Sequence, residues 1–178
     1  VIYTLQPQAS LTVIDQSTGE VKAIVGGRGD KTASKTLNRA TDTTRQPGST
    51  FKILAAYSAA LDAGGLTLAS VQDDAPYTYA GANGKSVNNY DRRYRGFTTL
   101  REAITDSINI VTVKTLAQAG VSLGWQYVQE YGFTTVDSRD MNEALALGGI
   151  TQGVSNLELT AAYAVIANQG TYIKPKFY

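Results

Sequence analysis

The sequence contains no cysteine and no histidine in its 178 residues. The absence of both residue types excludes Ser-His-Asp and Cys-His catalysis, and it excludes zinc sites built on cysteine or histidine. If the chain acts through a nucleophile, the general base must therefore be lysine, aspartate, glutamate or tyrosine. The absence of cysteine identifies no compartment, because it fits a bacterial extracytoplasmic protein and many cytosolic ones.

A strong net charge and a long apolar run are also missing. The formal net charge is +1, from 16 basic and 15 acidic residues, so nucleic acid is not expected as a partner. No stretch approaches the ~18 apolar residues of a membrane span, and no signal peptide opens the chain. Any membrane anchor is therefore expected outside these residues. The length and the 43% hydrophobic content predict one domain over residues 1–178, with a substantial core.

Short-range patterns predict both strands and helices. Apolar residues in 9–15 and 20–26 flank a turn that ends in Gly19, which predicts a β-hairpin. The polar residues 28–48 predict a loop. Residues 66–97, rich in Gly, Pro, Asn and Asp, predict a long connection. Its tyrosines are expected to pack on the surface, with a binding role as the alternative.

Several helices are predicted from caps, glycine stops and apolar periodicity. Thr99 with Glu102 and Ser155 with Glu158 have the spacing of capping boxes. Glycines at 148 and 149 within an apolar run predict close backbone packing. Helices are predicted over 49–63, 122–131 and 157–168. A further helix opens at 98–102 and runs into 103–111, and another follows it and ends at 118.

A serine and a lysine stand close together at the start of the first of these helices. Pro47 and Gly48 end a loop, Ser49 follows, and Lys52 lies three residues later on the same helix face. Apolar residues nearly surround this helix, which predicts its burial. A buried lysine has a lowered pKa and can act as a neutral base. The alternative is that Ser49 is only a helix N-cap and Lys52 extends to the surface.

Ser107 and Asn109 form a second candidate pair. Both residue types disfavour helix interiors and prefer caps and turns. Two positions apart, they can point the same way only if the helix is interrupted between them. On their own they indicate a junction between two helices.

Together, the patterns Ser49-x-x-Lys52 and Ser107-x-Asn109 resemble the first two active-site motifs of the serine penicillin-binding proteins. The resemblance extends in the same order over nearly the whole chain. It is closest to the transpeptidase domain of bifunctional, class A penicillin-binding proteins. The segments that carry it are 18–27, 38–40, 45–52, 89–91, 99–103 and 153–158.

This resemblance implies an α+β fold of the penicillin-binding protein and serine β-lactamase type, with an antiparallel sheet packed by helices and a mostly helical lobe. It implies no cofactor and no metal. Ser49 would attack the D-Ala-D-Ala bond of a peptidoglycan stem peptide, and β-lactams would acylate the same serine. Lys52 would be the base in acylation, although a route through water or Ser107 stays open. Ser107 would relay protons, and Asn109 would bind the substrate backbone and help hold Lys52.

The sequence departs from the family pattern in one respect. It contains no Lys-Thr-Gly or Lys-Ser-Gly, the third motif, which in the family lies on a strand well beyond the position of Gly170. That strand forms one wall of the cleft and donates the second hydrogen bond of the oxyanion hole. We therefore expect the C-terminal sheet strands of the domain to lie outside this chain, and the chain alone to be inactive.

The resemblance also implies partners and a location. An upstream membrane anchor and glycosyltransferase domain are expected, at the extracytoplasmic face of a bacterial membrane. Three alternatives stay open: a serine β-lactamase, a β-lactam-binding sensor, and a non-catalytic scaffold or inactive fragment. A β-lactamase needs a residue that activates water. Glu143 is the only candidate by position, and its sequence context does not match that role.

Overall fold

The structure is a computed structural model, and it describes residues 7–31, 33–80 and 84–178. The described residues form two compact units. Among the described residues, those within 7–45, 131–134 and 154–178 belong to the first unit, and those within 46–130 and 135–153 belong to the second.

The first unit contains an antiparallel hairpin of β1 (Leu11–Ile14) and β2 (Val21–Val25). This confirms the predicted hairpin, since its pattern of apolar residues and its turn are both local. Helix α5 (Asn156–Ala167) packs on β1, where Thr12 Oγ1 donates to Asn156 Oδ1 at 2.6 Å. The capping box predicted at Ser155 is present at the start of α5.

The prediction of a loop over 28–48 is wrong at one place. Thr44–Arg45 form a short strand, β3, that pairs antiparallel with a second short strand, Val154–Ser155. The two strands lie more than a hundred residues apart in the sequence, so no local pattern could indicate their pairing.

The second unit is mainly helical. Tyr57, Leu100, Ala103, Ile108 and Val111 form a fully buried cluster in its core. Glu102 and Thr99 form the predicted capping box, and the predicted helix boundaries agree within a few residues. After residue 99, the second unit contains the α-helices α2 (Leu100–Thr105), α3 (Asn109–Ala119) and α4 (Val121–Glu130). It then contains two 3-10 helices, Ser138–Asp140 and Glu143–Leu147.

Two strand pairs occupy the segment predicted as a long connection, and that prediction is wrong. The strands lack the alternation of apolar and polar residues that marks a half-buried strand, and each finds its partner through tertiary contacts. Val71–Asp74 (β4) pairs antiparallel with Gly96–Thr99 (β7), and Tyr77–Thr78 (β5) pairs with Ser86–Val87 (β6).

The helix predicted over 49–63 is present but irregular. It begins as a 3-10 turn at Gly48–Thr50, continues through a π-helix at Ile53–Tyr57 and ends as a short α-helix, α1, at Ser58–Asp62. Ser58 Oγ donates to the carbonyl oxygen of Ile53 at 2.6 Å, five residues back. Such π turns are rare in proteins, and those that occur often lie near functional sites. We refer to residues 48–62 as the nucleophile segment.

In the described part of the chain, no helix has both the length and the apolar character that crossing a bilayer requires.

Candidate active site

The amine of Lys52 is buried among three acceptors. Lys52 is 3% exposed, and its Nζ donates to the carbonyl oxygen of Ser107 at 2.6 Å, to Ser107 Oγ at 2.9 Å and to Asn109 Oδ1 at 2.6 Å. Three acceptors match the three N–H bonds of an ammonium group. Burial nevertheless disfavours the charged form and lowers the pKa of Lys52 from 10.5 to about 8. The predicted burial of this lysine is therefore correct, and the side chain does not extend to the surface.

An interruption between two helices brings Ser107 and Asn109 to the same amine. Helix α2 ends at Thr105 and α3 begins at Asn109, as the sequence predicted. Between them Ser107 adopts a left-handed backbone conformation, with φ of 53°. A residue other than glycine reaches this region at a cost of about 1–2 kcal/mol. The strained turn presents both the hydroxyl and the carbonyl of Ser107 to Lys52.

The carboxamide of Asn109 is held at both ends. Its Oδ1 accepts from Lys52, and its Nδ2 donates to the carbonyl oxygen of Asn88 at 2.7 Å. Because the two ends of a carboxamide have opposite hydrogen-bonding character, the Asn88 contact determines that an acceptor faces Lys52.

Ser49 lies in the 3-10 turn at the start of the nucleophile segment, and its side chain is exposed. The serine is therefore accessible to a reagent, one turn before the buried Lys52.

A close approach of two backbones supports this turn. Gly148 has a positive φ of 72°, and a Cβ atom at this residue would lie 2.5 Å from the carbonyl oxygen of Gly48. Gln46 adds a pair of hydrogen bonds: its Oε1 accepts from the N–H of Ile150 at 3.0 Å, and its Nε2 donates to the Ile150 carbonyl. The sequence correctly predicted close packing at Gly148, but it did not identify Gly48 or Gln46 as the partners.

The carboxylate of Glu143 is occupied by structural contacts. Glu143 is 7% exposed, and its two oxygens accept from Tyr77 Oη and from the backbone N–H of Ala80, both at 2.9 Å. Burial and the hydrogen bond to Glu143 raise the pKa of Tyr77. These contacts hold the β5 strand and favour a structural role for Glu143 over the activation of water.

Comparison with known proteins identifies the family. The family model described as the penicillin binding protein transpeptidase domain matches residues 9–178. Penicillin-binding protein 1A of Clostridium tetani is 38% identical over 189 residues, which cover 98% of this chain and 23% of that protein. The protein of the same name from Neisseria flavescens is 43% identical over 168 residues, which cover 92% of this chain and 20% of that protein. The chain thus spans about a fifth to a quarter of the length of these relatives.

Solved structures agree with this assignment. The 2.6 Å crystal structure of penicillin-binding protein 1A from Haemophilus influenzae superposes with a TM-score of 0.83 at 32% identity, over 95% of this chain and 25% of that one. The PonA1 protein from Mycobacterium tuberculosis, solved in complex with penicillin V, superposes with a TM-score of 0.77. At 22% identity this second likeness supports the fold alone. The predicted α+β transpeptidase fold is confirmed, and the chain belongs to the penicillin-binding protein transpeptidase family.

Proposed function

We propose that this chain carries the nucleophile and the base of a serine D,D-transpeptidase that cross-links peptidoglycan stem peptides. The observation that carries the proposal is the buried amine of Lys52, in contact with Ser107 and Asn109 and one turn after the exposed Ser49. With the pKa of Lys52 near 8, about a tenth of the amines are neutral at pH 7. At the ordinary value the neutral fraction would be about one in 3,000.

In the acylation step, Ser49 Oγ attacks the carbonyl carbon between the two terminal D-alanines and gives its proton to the neutral Lys52. The carbonyl oxygen becomes an oxyanion, which the backbone N–H of Ser49 stabilises. Removing one such donor typically costs about 2.7–4 kcal/mol of barrier stabilisation. The C–N bond then breaks, the proton passes from Lys52 through Ser107 Oγ to the departing nitrogen, and D-alanine leaves.

In the second step, the acyl group is transferred from Ser49 to a different amine, by the reverse of the first reaction. An amine of a neighbouring stem peptide attacks the Ser49 ester and loses a proton through Ser107 to Lys52. The Ser49 oxygen leaves and recovers its proton, which restores the site and forms a new amide cross-link. Asn109 binds the backbone of the donor peptide and keeps Lys52 in place. β-Lactams acylate Ser49 as mimics of the donor.

The wider context of the site is part of the same proposal. The second oxyanion donor and one cleft wall come from a segment with the third motif, outside these residues. The protein works at the extracytoplasmic face of a bacterial membrane, held there by an anchor outside this chain. A glycosyltransferase domain lies upstream, in keeping with the greater length of the penicillin-binding protein 1A relatives.

Labelling with a fluorescent penicillin tests the proposal in the natural full-length protein that contains this chain. We expect stable covalent labelling that is lost in Ser49→Ala and kept in Ser122→Ala, a matched control at an exposed serine of α4. Mass spectrometry of the labelled peptide checks the attachment site. Absence of labelling in the unchanged protein contradicts the proposal.

Two further measurements separate the transpeptidase from its rivals. Rapid loss of the label would indicate a β-lactamase. A stem-peptide substrate with a D-Ala-D-Ala end should release D-alanine and yield a cross-linked product. A sensor would bind penicillin and yield neither.

A further inference from the structure

A buried carboxylate lies away from the groups that the proposed mechanism uses. Asp74, the last residue of β4, is fully buried. Its oxygens accept from Asn89 Nδ2 at 2.8 and 3.0 Å, and one of them also accepts from the backbone N–H of Arg95 at 2.9 Å. A buried charge is costly unless hydrogen bonds compensate it, so these contacts must be maintained.

Asn89 connects this carboxylate to helix α3. Asn89 is 4% exposed, and its Nδ2 also donates to the carbonyl oxygen of Arg93 at 2.8 Å. Its Oδ1 accepts from the backbone N–H of Ile110 at 3.2 Å. Ile110 is the second residue of α3, where an N–H has no acceptor within the helix. Asn89 therefore binds the N-terminus of α3 from outside the helix.

The residue before Asn89 completes the connection to the amine. The carbonyl oxygen of Asn88 accepts from Asn109 Nδ2 at 2.7 Å, and Asn109 Oδ1 accepts from Lys52 Nζ at 2.6 Å. A continuous series of hydrogen bonds and one peptide link thus runs from Asp74 through Asn89 and Asn88 to Asn109 and Lys52.

We propose that Asp74 and Asn89 are positioning residues for Lys52, acting through Asn88 and Asn109. Asp74 orients the carboxamide of Asn89, and Asn89 fixes the 88–89 backbone against the first turn of α3. The Asn88 carbonyl then keeps the Nδ2 end of Asn109 turned away from Lys52 and the Oδ1 end towards it. The effect on catalysis rests on the proposed function, whereas the effect on the Lys52 amine does not.

The chemistry of the pair explains why an aspartate stands at position 74. Donors from Asn89 and Arg95 converge on its side chain, and only an ionised carboxylate accepts at both of its ends. An asparagine there would place an N–H₂ group against another donor. Asp74→Asn therefore keeps the shape of the side chain and disrupts the contact.

We expect loosening of this connection to change the pKa of the Lys52 amine in a defined direction. Acceptors at Nζ favour the ammonium form, so loss of the fixed Oδ1 of Asn109 lowers the pKa of Lys52 below about 8. In the described ranges, the side chains hydrogen-bonded to Nζ are those of Ser107 and Asn109, and neither is titratable in this range. A lower pKa by itself would leave more of the amine neutral, but an amine that is no longer held in place transfers the proton less efficiently. For the proposed reaction, the acylation rate constant should therefore fall by about tenfold or more, while the dissociation constant for penicillin changes little.

The experiment measures the reactivity of the Lys52 amine in the full-length protein as a function of pH. Brief labelling with acetic anhydride, followed by mass spectrometry of the Lys52 peptide, yields its pKa in the unchanged protein, in Asp74→Asn and in Asn89→Ala. Asp73→Asn is the matched control, because Asp73 is the exposed neighbour of Asp74 on the same strand. Thermal unfolding shows which variants are folded, and Asn89→Ala carries the test if Asp74→Asn does not fold.

A lowered pKa of Lys52 in either folded variant, with no change in the control, supports the proposal. An unchanged pKa overturns it and leaves the pair a purely structural role. A raised pKa also overturns it, because it would mean that the pair only excludes water from the amine. This readout does not need Ser49 to react, so the outcome is separate from that of the penicillin-labelling test.

Discussion

The Nζ atom of Lys52 lies 2.6 Å from Oδ1 of Asn109, although the two residues are 57 positions apart in the sequence. The contact joins the nucleophile segment to the first residue of α3. It gives the buried amine a neutral acceptor and no carboxylate, so its pKa can fall to about 8. An ion pair in the same place would favour the charged form and remove the base.

The first prediction concerns the pH dependence of acylation. In the proposed mechanism neutral Lys52 is the base. Its pKa is lowered from 10.5 to about 8, so the amine is mostly protonated below pH 8. We expect the rate constant for acylation by penicillin to rise with pH, with a midpoint near 8. Stopped-flow measurements on the full-length protein check this expectation. Lys52→Arg keeps a permanent charge and should lose acylation at every pH. A midpoint near 10.5, the ordinary pKa of a lysine, would contradict the lowered pKa of Lys52, and full acylation in Lys52→Arg would exclude Lys52 as the base.

The second prediction separates strain from chemistry at Ser107. Ser107→Gly removes the cost of a side chain at φ 53°, whereas Ser107→Ala keeps a Cβ atom there. We expect the glycine variant to be more stable than the alanine variant by about 1 kcal/mol. Urea unfolding measures the difference.

Both Ser107 variants lack the hydroxyl group that contacts Lys52. They should therefore lose peptide turnover to the same extent, by about 10²-fold or more. Peptide turnover by Ser107→Gly at the rate of the unchanged protein would show that the Ser107 hydroxyl does not relay protons.

The third prediction concerns Gly148. A Cβ atom at this residue would lie within 2.6 Å of both the nitrogen and the oxygen of Gly48. Gly148→Ala must therefore displace the backbone next to Ser49, and we expect a loss of stability above 2 kcal/mol, by order of magnitude, with much slower acylation. Thermal unfolding and penicillin labelling measure the two effects.

Gly65 offers a matched control for Gly148. Its φ of 71° is nearly the same, and no described atom lies within 4 Å of a Cβ atom built there. Gly65→Ala should cost only the strain of the left-handed conformation, about 1–2 kcal/mol, with normal acylation. Equal losses in both variants would mean that the contact with Gly48 has no effect of its own.

The fourth prediction tests the packing of α4 on the nucleophile segment. A Cβ atom at Gly124 would lie 2.3 Å from Leu116 Cδ1 and 2.4 Å from the carbonyl oxygen of Ala55 in the π-helix. Because backbone cannot move as easily as a side chain, Gly124→Ala should lower the free energy of unfolding by about 1–3 kcal/mol. Chemical denaturation checks this. Ser122→Ala on the exposed face of the same helix should change stability by less than about 0.5 kcal/mol.

Local features of the fold were predictable because their causes are local. The hairpin, the caps at Thr99 and Ser155, and the break between α2 and α3 follow from turn residues, cap spacing and the placement of polar residues. The burial of Lys52 followed from the apolar residues around it. The nucleophilic role of Ser49 remains a prediction for the labelling experiment.

Features that depend on distant partners were not predictable from one sequence. The short strands β4 and β7 carry no period-two pattern, and the 3-10 and π turns of the nucleophile segment have no distinct composition. Glu143 was a candidate for activating water by position alone, and only the structure shows that Tyr77 and Ala80 occupy its oxygens. Asp74 and Asn89 stood in a stretch with the composition of a loop, and only their contacts reveal a link to Lys52.

The sequence by itself determined which chemistry was open to this protein. With no histidine or cysteine available, a base was restricted to lysine, aspartate, glutamate or tyrosine, and the lysine three residues after Ser49 was the candidate. Only the tertiary structure decided what surrounds that lysine, because the acceptors at its amine come from residues 55 and 57 positions away. The pKa of an amine depends on its solvation and its neighbours, and both are set when distant segments pack together.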